Sequence, residues 1–278
     1  MSTRLTTDPA DFQATVFPFL TRDPVRHTLI LSNVADRAAN QYEPEPSYFV
    51  SVHDDDTGEV TGAAMRTPGR RVYVGALRAD LAAEVAEAYF EVLPGLGGVA
   101  GDRAAVTAFG QRWAELSGAD RAPWTESAGT RLHQLETLTP LTAPGAIRPM
   151  RETDIQLAHE WMLDGFPEEA PFLEPDWAEH KLAQGTLWFW EADDEPVCMA
   201  AHRTPVFGVS RVGPVYTPPT HRRHGYAGAL TGEVTAKLLA QGIKPCLYTD
   251  LANPTSNKIY AQLGYLPVTD FVDLIFTP

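Results

Sequence analysis

The stretch Val215-Tyr-Thr-Pro-Pro-Thr-His-Arg-Arg-His-Gly-Tyr-Ala-Gly228 decides how the chain is read. Upstream of it, the Val-rich run Val206 to Tyr216, interrupted by Gly208 and Gly213, predicts a strand that ends at Thr217. Pro218 and Pro219 supply no N–H, so the strand stops there. A basic, glycine-containing turn then opens into a helix over Tyr226 to Gln241, with Tyr226, Leu230, Val234 and Leu238 on one stripe and Gly242 closing it. The unpaired N–H groups and partial positive charge of a helix start suit a pyrophosphate. Gly225 lets the backbone approach an anion closely, Ala227 keeps the next contact small, and Arg222 and Arg223 add charge-assisted hydrogen bonds. A chance basic helix start is the plain alternative. Arginines at that end oppose the macrodipole, however, and are unfavourable there without an anion.

Around this turn, strand and helix patterns alternate. Ala146 to Met150, Thr186 to Trp190, Glu195 to Arg203 and Pro245 to Thr249 read as strands, and Thr153 to Phe166 as a helix. Pro254 to Leu263 is a second sharply bounded helix, with Asn253 as N-cap, Pro254 at the first position and Gly264 just past the end. Tyr265 to Val268 and Phe271 to Phe276 finish as strands, so the half is a mixed α/β sheet. The uncharged Thr137-Leu-Thr-Pro-Leu-Thr-Ala-Pro-Gly145 marks a boundary, giving expected domains at 1–140 and 145–278.

The first half repeats the order loosely. Tyr48 to Val52, Val60 to Met65 and Arg71 to Ala76 are strands, Asp80 to Leu93 and Asp102 to Ser117 helices, and Thr130 to Leu138 a late strand. A divergent duplicate and a coincidence among α/β domains both fit. No basic loop follows its third strand; Asp80 at the helix start would repel a phosphate.

Composition narrows the class. The 278 residues suit two modest domains, and 44% hydrophobic content excludes wholesale disorder. With 22 Lys+Arg against 36 Asp+Glu, no face can collect the cations a general nucleic-acid binder needs. Cys198 and Cys246 sit in apolar runs and read as core thiols rather than a disulfide framework. The polar first twenty residues and the absence of an 18-residue apolar run point to a cytoplasmic chain away from membranes; its oligomeric state, expected as monomer or homodimer, is not read from them.

A Walker A string is absent, and Gly95-Leu-Gly97-Gly-Val-Ala100 follows a helix, so it reads as a loop and not as a dinucleotide fingerprint. What fits is R-x-x-G-x-A (Arg222, Gly225, Ala227) at a strand-to-helix junction, which resembles the acyl-CoA pyrophosphate loop of the GNAT N-acetyltransferase superfamily. Downstream, Asn253-Pro-Thr-Ser256 with Tyr260 and Gly264-Tyr265 is similar to that family's N-x-x-[SA]-x-x-x-Y-x-x-x-G-[FY] element. The two elements lie in the family's order.

The resemblance implies two GNAT-like domains in tandem, each a mostly antiparallel sheet flanked by helices, the first without a coenzyme loop. It implies acetyl-CoA as acyl donor, no metal, and a small-molecule primary amine as acceptor. Val215, Tyr216 and Thr217 would offer backbone groups to the pantetheine arm, and Arg222, Arg223, His224, Gly225, Tyr226 and Ala227 would hold the diphosphate. Asn253 would contact the pantetheine, which is compatible with capping its helix. Tyr260 would protonate the departing thiolate; a helix aromatic packed near Ile259 and Leu263 is the competing reading. His221 and His224 lack two further ligands for a metal. The expected strand carboxylate is missing from Val206 to Thr217, which leaves Asp250, Glu191, His202 or water as the base. Trp161, Trp177, Trp188 and Trp190 either line an acceptor pocket or pack a core. A non-catalytic acyl-CoA sensor, or a thiol-cofactor acetyltransferase similar to mycothiol synthase, are the alternatives.

Overall fold

The computed structural model describes residues 1–39, 45–118, 124–127 and 129–276. They form two compact units, one of residues 1–132, 250–252 and 268–278, the other of residues 133–249 and 253–267. A single cut at 140–145 therefore misplaces the chain's end. Residues 271–275 pair antiparallel with 98–102, and backbone pairing outweighs sequence position.

The first unit starts with β1 (Ser2–Thr6), α1 (Pro9–Leu20) and α2 (Thr28–Ala39), all beyond the elements legible in the sequence. β2 (Tyr48–His53), β3 (Val60–Arg66) and β4 (Val72–Gly75) follow, then α3 (Ala82–Val92), β5 (Gly98–Asp102), α4 (Arg103–Ser117) and β6 (Trp124–Glu126). β1 to β4 are antiparallel neighbours, and β4 runs parallel to β5. The Gly95–Ala100 stretch is thus half strand. Gly98 and Gly101 sit at φ +146° and +152°; a Cβ would come within 2.2 Å of Leu274 O at the first and 2.5 Å of Val74 Cγ2 at the second. Val72, Val85, Tyr89, Phe109, Trp113 and Leu274 share one core.

β7 (Thr130–Leu135) leads into the second unit, built from β8 (Ala146–Pro149), α5 (Ile155–Gly165), α6 (Trp177–Gln184), β9 (Leu187–Ala192), β10 (Glu195–His202), β11 (Val209–Tyr216), α7 (Tyr226–Ala240), β12 (Lys244–Asp250), α8 (Pro254–Leu263) and β13 (Tyr265–Phe276). β13 is one strand where two were expected, and α6 is new. β8 to β11 are antiparallel, and β11 is parallel to β12. Strand alternation divides the core. Cys198, Ala200 and Val212 face α7 and α8, packing with Leu230, Val234, Leu238 and Leu263. Met199, Ala201 and Tyr216 face α5 and α6, packing with Ala158, Met162 and Ala178.

Both units run strand, two helices, three antiparallel strands, helix, parallel strand, helix. The linker is not free. Leu138, Leu141 and Ala143 pack against the α7 core, and Thr139 N–H bonds Leu263 O at 3.0 Å. Gly264, at φ +95°, has no room for a side chain because Thr137 O occupies the Cβ position.

Candidate active site

The site begins where two parallel strands part. β11 and β12 keep register through Val209↔Lys244, Ser210↔Pro245 and Arg211↔Cys246, and no pair follows. On its other edge β11 stays on β10, with Val212 opposite His202 and Val215 opposite Ala200, so one extra residue bulges near the cis peptide Gly213–Pro214. Bulges of this kind re-aim backbone groups. From Val212 to Tyr216, alternate amides and carbonyls therefore point into an open wedge.

β11 ends at Tyr216, one residue before the expected Thr217, and a short 3₁₀ turn over Pro219–His221 carries the chain to α7. Arg223 at φ +68° follows the extended Arg222, and Gly225 at φ +84° precedes the first helical residue; positive-φ turns of this kind are used to gather N–H groups around an anion. A non-glycine residue at positive φ is uncommon, and here it falls on a predicted phosphate ligand. No side chain caps α7, so the N–H groups of Tyr226, Ala227 and Gly228 are left for a ligand or solvent. Arg222, Arg223, His224 and Gly225 are exposed. The turn is open, as a diphosphate cradle must be. Arg222 Nε donates to Thr217 O at 3.0 Å, and the His224 ring stacks on Tyr226.

α8 supplies the other wall. Asn253 Oδ1 accepts from Ser256 N at 3.1 Å, which confirms its capping role and leaves its amide N–H₂ outward and exposed. Tyr260 is half-buried, edge-on to Tyr265 with centroids 6.1 Å apart, and its hydroxyl has no hydrogen bond among the described residues. Burial, and then the nearby Cys198 thiol, push its phenol well above the ordinary 10. Tyr260 is neutral and proton-bearing at physiological pH. Cys198 itself is buried, pushed up to about 12 by desolvation, and accepts from Thr217 Oγ1 at 3.1 Å. It is no nucleophile. It does bring Thr217, just past the end of β11, into one neighbourhood with Tyr260 on α8.

The candidate bases are spent elsewhere. Glu191 accepts from Arg148 Nε, whose guanidinium also clasps Asp154 at 2.6 Å. His202 is buried, its Nδ1 2.7 Å from Arg203 O, and stacks on Trp188; burial lowers its basicity. Asp250 accepts from Ala252 N at 2.7 Å in its own turn. The tryptophans pack. Trp190 Nε1 holds Pro144 O at 2.7 Å, Trp161 abuts Phe189 and Tyr216, and Trp177 lies on the α5–α6 core.

Two features were not legible in the sequence. Tyr216 OH donates to Asp164 Oδ2 on α5, and Thr249 Oγ1 donates to Asn257 Oδ1 at 2.7 Å while lying 3.2 Å from His133 Nε2. Gly165, against which the Tyr216 ring lies, was the one local sign of a close approach. Among the described residues the group able to hold a metal is Glu174, Asp176 and His180, fully exposed on and before α6. No described helix is long and apolar enough to cross a membrane.

Comparison with known proteins agrees with this fold. Residues 193–271 match the family model described as FR47-like protein. The chain is similar to a GNAT-family acetyltransferase from Colwellia psychrerythraea (TM-score 0.65, 10% identity, 100% of both chains). It is also similar to a GCN5-related N-acetyltransferase from Sphaerobacter thermophilus (0.60, 17%, 98% of this chain and 94% of that one). A tandem GNAT protein from the clavulanic acid biosynthesis pathway is a third (0.58, 12%, 98% of both). A search of curated proteins finds no match. The chain thus has the fold of these GNAT proteins, and its C-terminal region matches the FR47-like family model.

Proposed function

We propose that the second unit is an acetyl-CoA-dependent N-acetyltransferase acting on a small-molecule primary amine. The observation that carries the reading is the wedge beyond Arg211↔Cys246, bordered by an uncapped helix start with a positive-φ Arg-Gly turn. Residues fit the co-substrate at each end. The exposed Arg222–Gly225 turn and the α7 N–H groups would hold the diphosphate, the Val215–Thr217 edge and the Asn253 amide the pantetheine arm.

A neutral amine attacks the thioester carbonyl, the C–N bond forms and the C–S bond breaks. Of the backbone N–H groups near Val215 and Tyr216, those on the wedge side of the strand would face the oxygen on which negative charge grows. Tyr260 gives its proton to the departing sulfur and is reprotonated from solvent. The amine's surplus proton passes to water, because Glu191, His202 and Asp250 are each bound elsewhere. That same engagement favours a second reading, an acyl-CoA binder without turnover.

Free-thiol release from acetyl-CoA with a panel of mono-, di- and polyamines tests the two. Amine-dependent release supports the enzyme. Tight acetyl-CoA binding with release no faster than hydrolysis leaves the binder, and no binding removes both.

A further inference from the structure

We infer that the uncharged strap Thr137–Gly145 is a wall of the coenzyme diphosphate site, with Thr142 as the position that governs its charge. The inference rests on the acyl-CoA reading above and gives a binding role to a segment that supplies no ligand in that reading.

The strap lies wholly in the second unit and follows α7 from its middle to its start. Thr137 O fills the Cβ position at Gly264, and Thr139 N–H holds Leu263 O at 3.0 Å. Leu141 then seats on the two glycines of α7: a Cβ would come within 3.9 Å of its backbone N at Gly232 and 2.9 Å of its Cδ1 at Gly228. Gly228 belongs to the first turn of α7, whose N–H groups no side chain caps. One residue further on, the strap passes the basic turn itself. At Gly225 the Cβ direction meets Thr142 O at 3.6 Å and Ala143 Cβ at 3.7 Å. Trp190 Nε1 then pins Pro144 O at 2.7 Å. The strap is thus fixed on both sides of its closest approach to the turn.

Its composition suits that place. Residues 137–145 carry no charge in a chain with 36 Asp+Glu, and Thr142 is exposed beside the half-buried Ala143. A carboxylate so near the turn would repel a diphosphate through little intervening solvent, whereas a hydroxyl leaves the field of Arg222, Arg223 and the helix start intact.

The test is a charge scan on the full chain, read as the acetyl-CoA Kd by calorimetry. Thr142→Glu is expected to weaken binding about three- to tenfold at low salt, and Thr142→Lys to tighten it by a similar factor. Thr142→Gln, the uncharged counterpart of the Glu variant, should bind like the wild type. The same charges at Thr137, held at the far end of the strap, should move Kd by less than about twofold, and added salt should shrink the Thr142 differences. Shifts of the same sign for Thr142→Glu and Thr142→Lys, or none, would overturn the inference, since the strap would then only cover α7. Equal shifts from Thr137 and Thr142 would overturn it too, because the charge would be acting from no particular place. Wild-type protein that does not bind acetyl-CoA would instead overturn the acyl-CoA reading on which it rests.

Discussion

The two units place a parallel strand pair at the same point of the same element succession, and they treat it oppositely. β4 and β5 stay in register from Val72↔Val99 to Gly75↔Gly101, across a bulge. β11 and β12 part after Arg211↔Cys246. Past the first pair, Arg78 clasps Asp80 at the start of a short 3₁₀ turn. Past the second come the positive-φ Arg223 and Gly225 and an uncapped helix. A sheet that stays zipped has no free edge amides, and an acidic helix start repels phosphate. On the proposed function, coenzyme binding depends on what happens after the strands, and the strand count alone says nothing of it.

That contrast can be broken or sharpened by experiment. The largest effect is expected from Tyr260→Phe, which should lower kcat at least about a hundredfold with acetyl-CoA affinity unchanged, as for loss of a general acid. Unaltered turnover would reduce Tyr260 to a packing residue. Next, Arg222→Ala with Arg223→Ala should raise the acetyl-CoA Kd roughly ten- to hundredfold, more at low salt, from charged hydrogen bonds to phosphate. The matching change in the first unit, Arg78→Ala, should leave Kd alone; calorimetry distinguishes them.

Acidification should act more mildly. Burial lowers His202 below its ordinary 6.5, so the unfolded chain binds the proton more readily. Its contribution to stability is whole above about pH 6.5 and is lost as pH falls toward the folded value. Urea midpoints measured from pH 7.5 to 5 should fall, and fall less in His202→Gln. His27 in the first unit, lowered also by burial, contributes with the same sign. The smallest expected effect is none: Asp80→Asn should not create a second coenzyme site, and titration should still give one acetyl-CoA per chain. Two would mean that β4 and β5 can open.

Local signals were read well where a capping or period rule applied. The helix at Pro254–Leu263 has the bounds that Asn253, Pro254 and Gly264 imply, and α7 follows its apolar stripe from Tyr226. β1, α1 and α2 escaped notice, as did the strand half of the Gly95–Ala100 stretch. Pro18 lies inside α1, and β1 is mostly exposed, so neither shows a clean period. The linker Thr137–Gly145 has loop composition yet packs through Leu138, Leu141 and Ala143, because the α7 core needs cover.

From the sequence alone came the basic turn before α7, the α8 element and the alternation of strands and helices, since each depends on neighbours within a few residues. Only the tertiary structure decided that β11 and β12 part while β4 and β5 do not, that residues 271–275 complete the first unit, and that Asp164 meets Tyr216. Those outcomes rest on pairing and contact between distant residues, whose free energy exists only once the chain has brought them together.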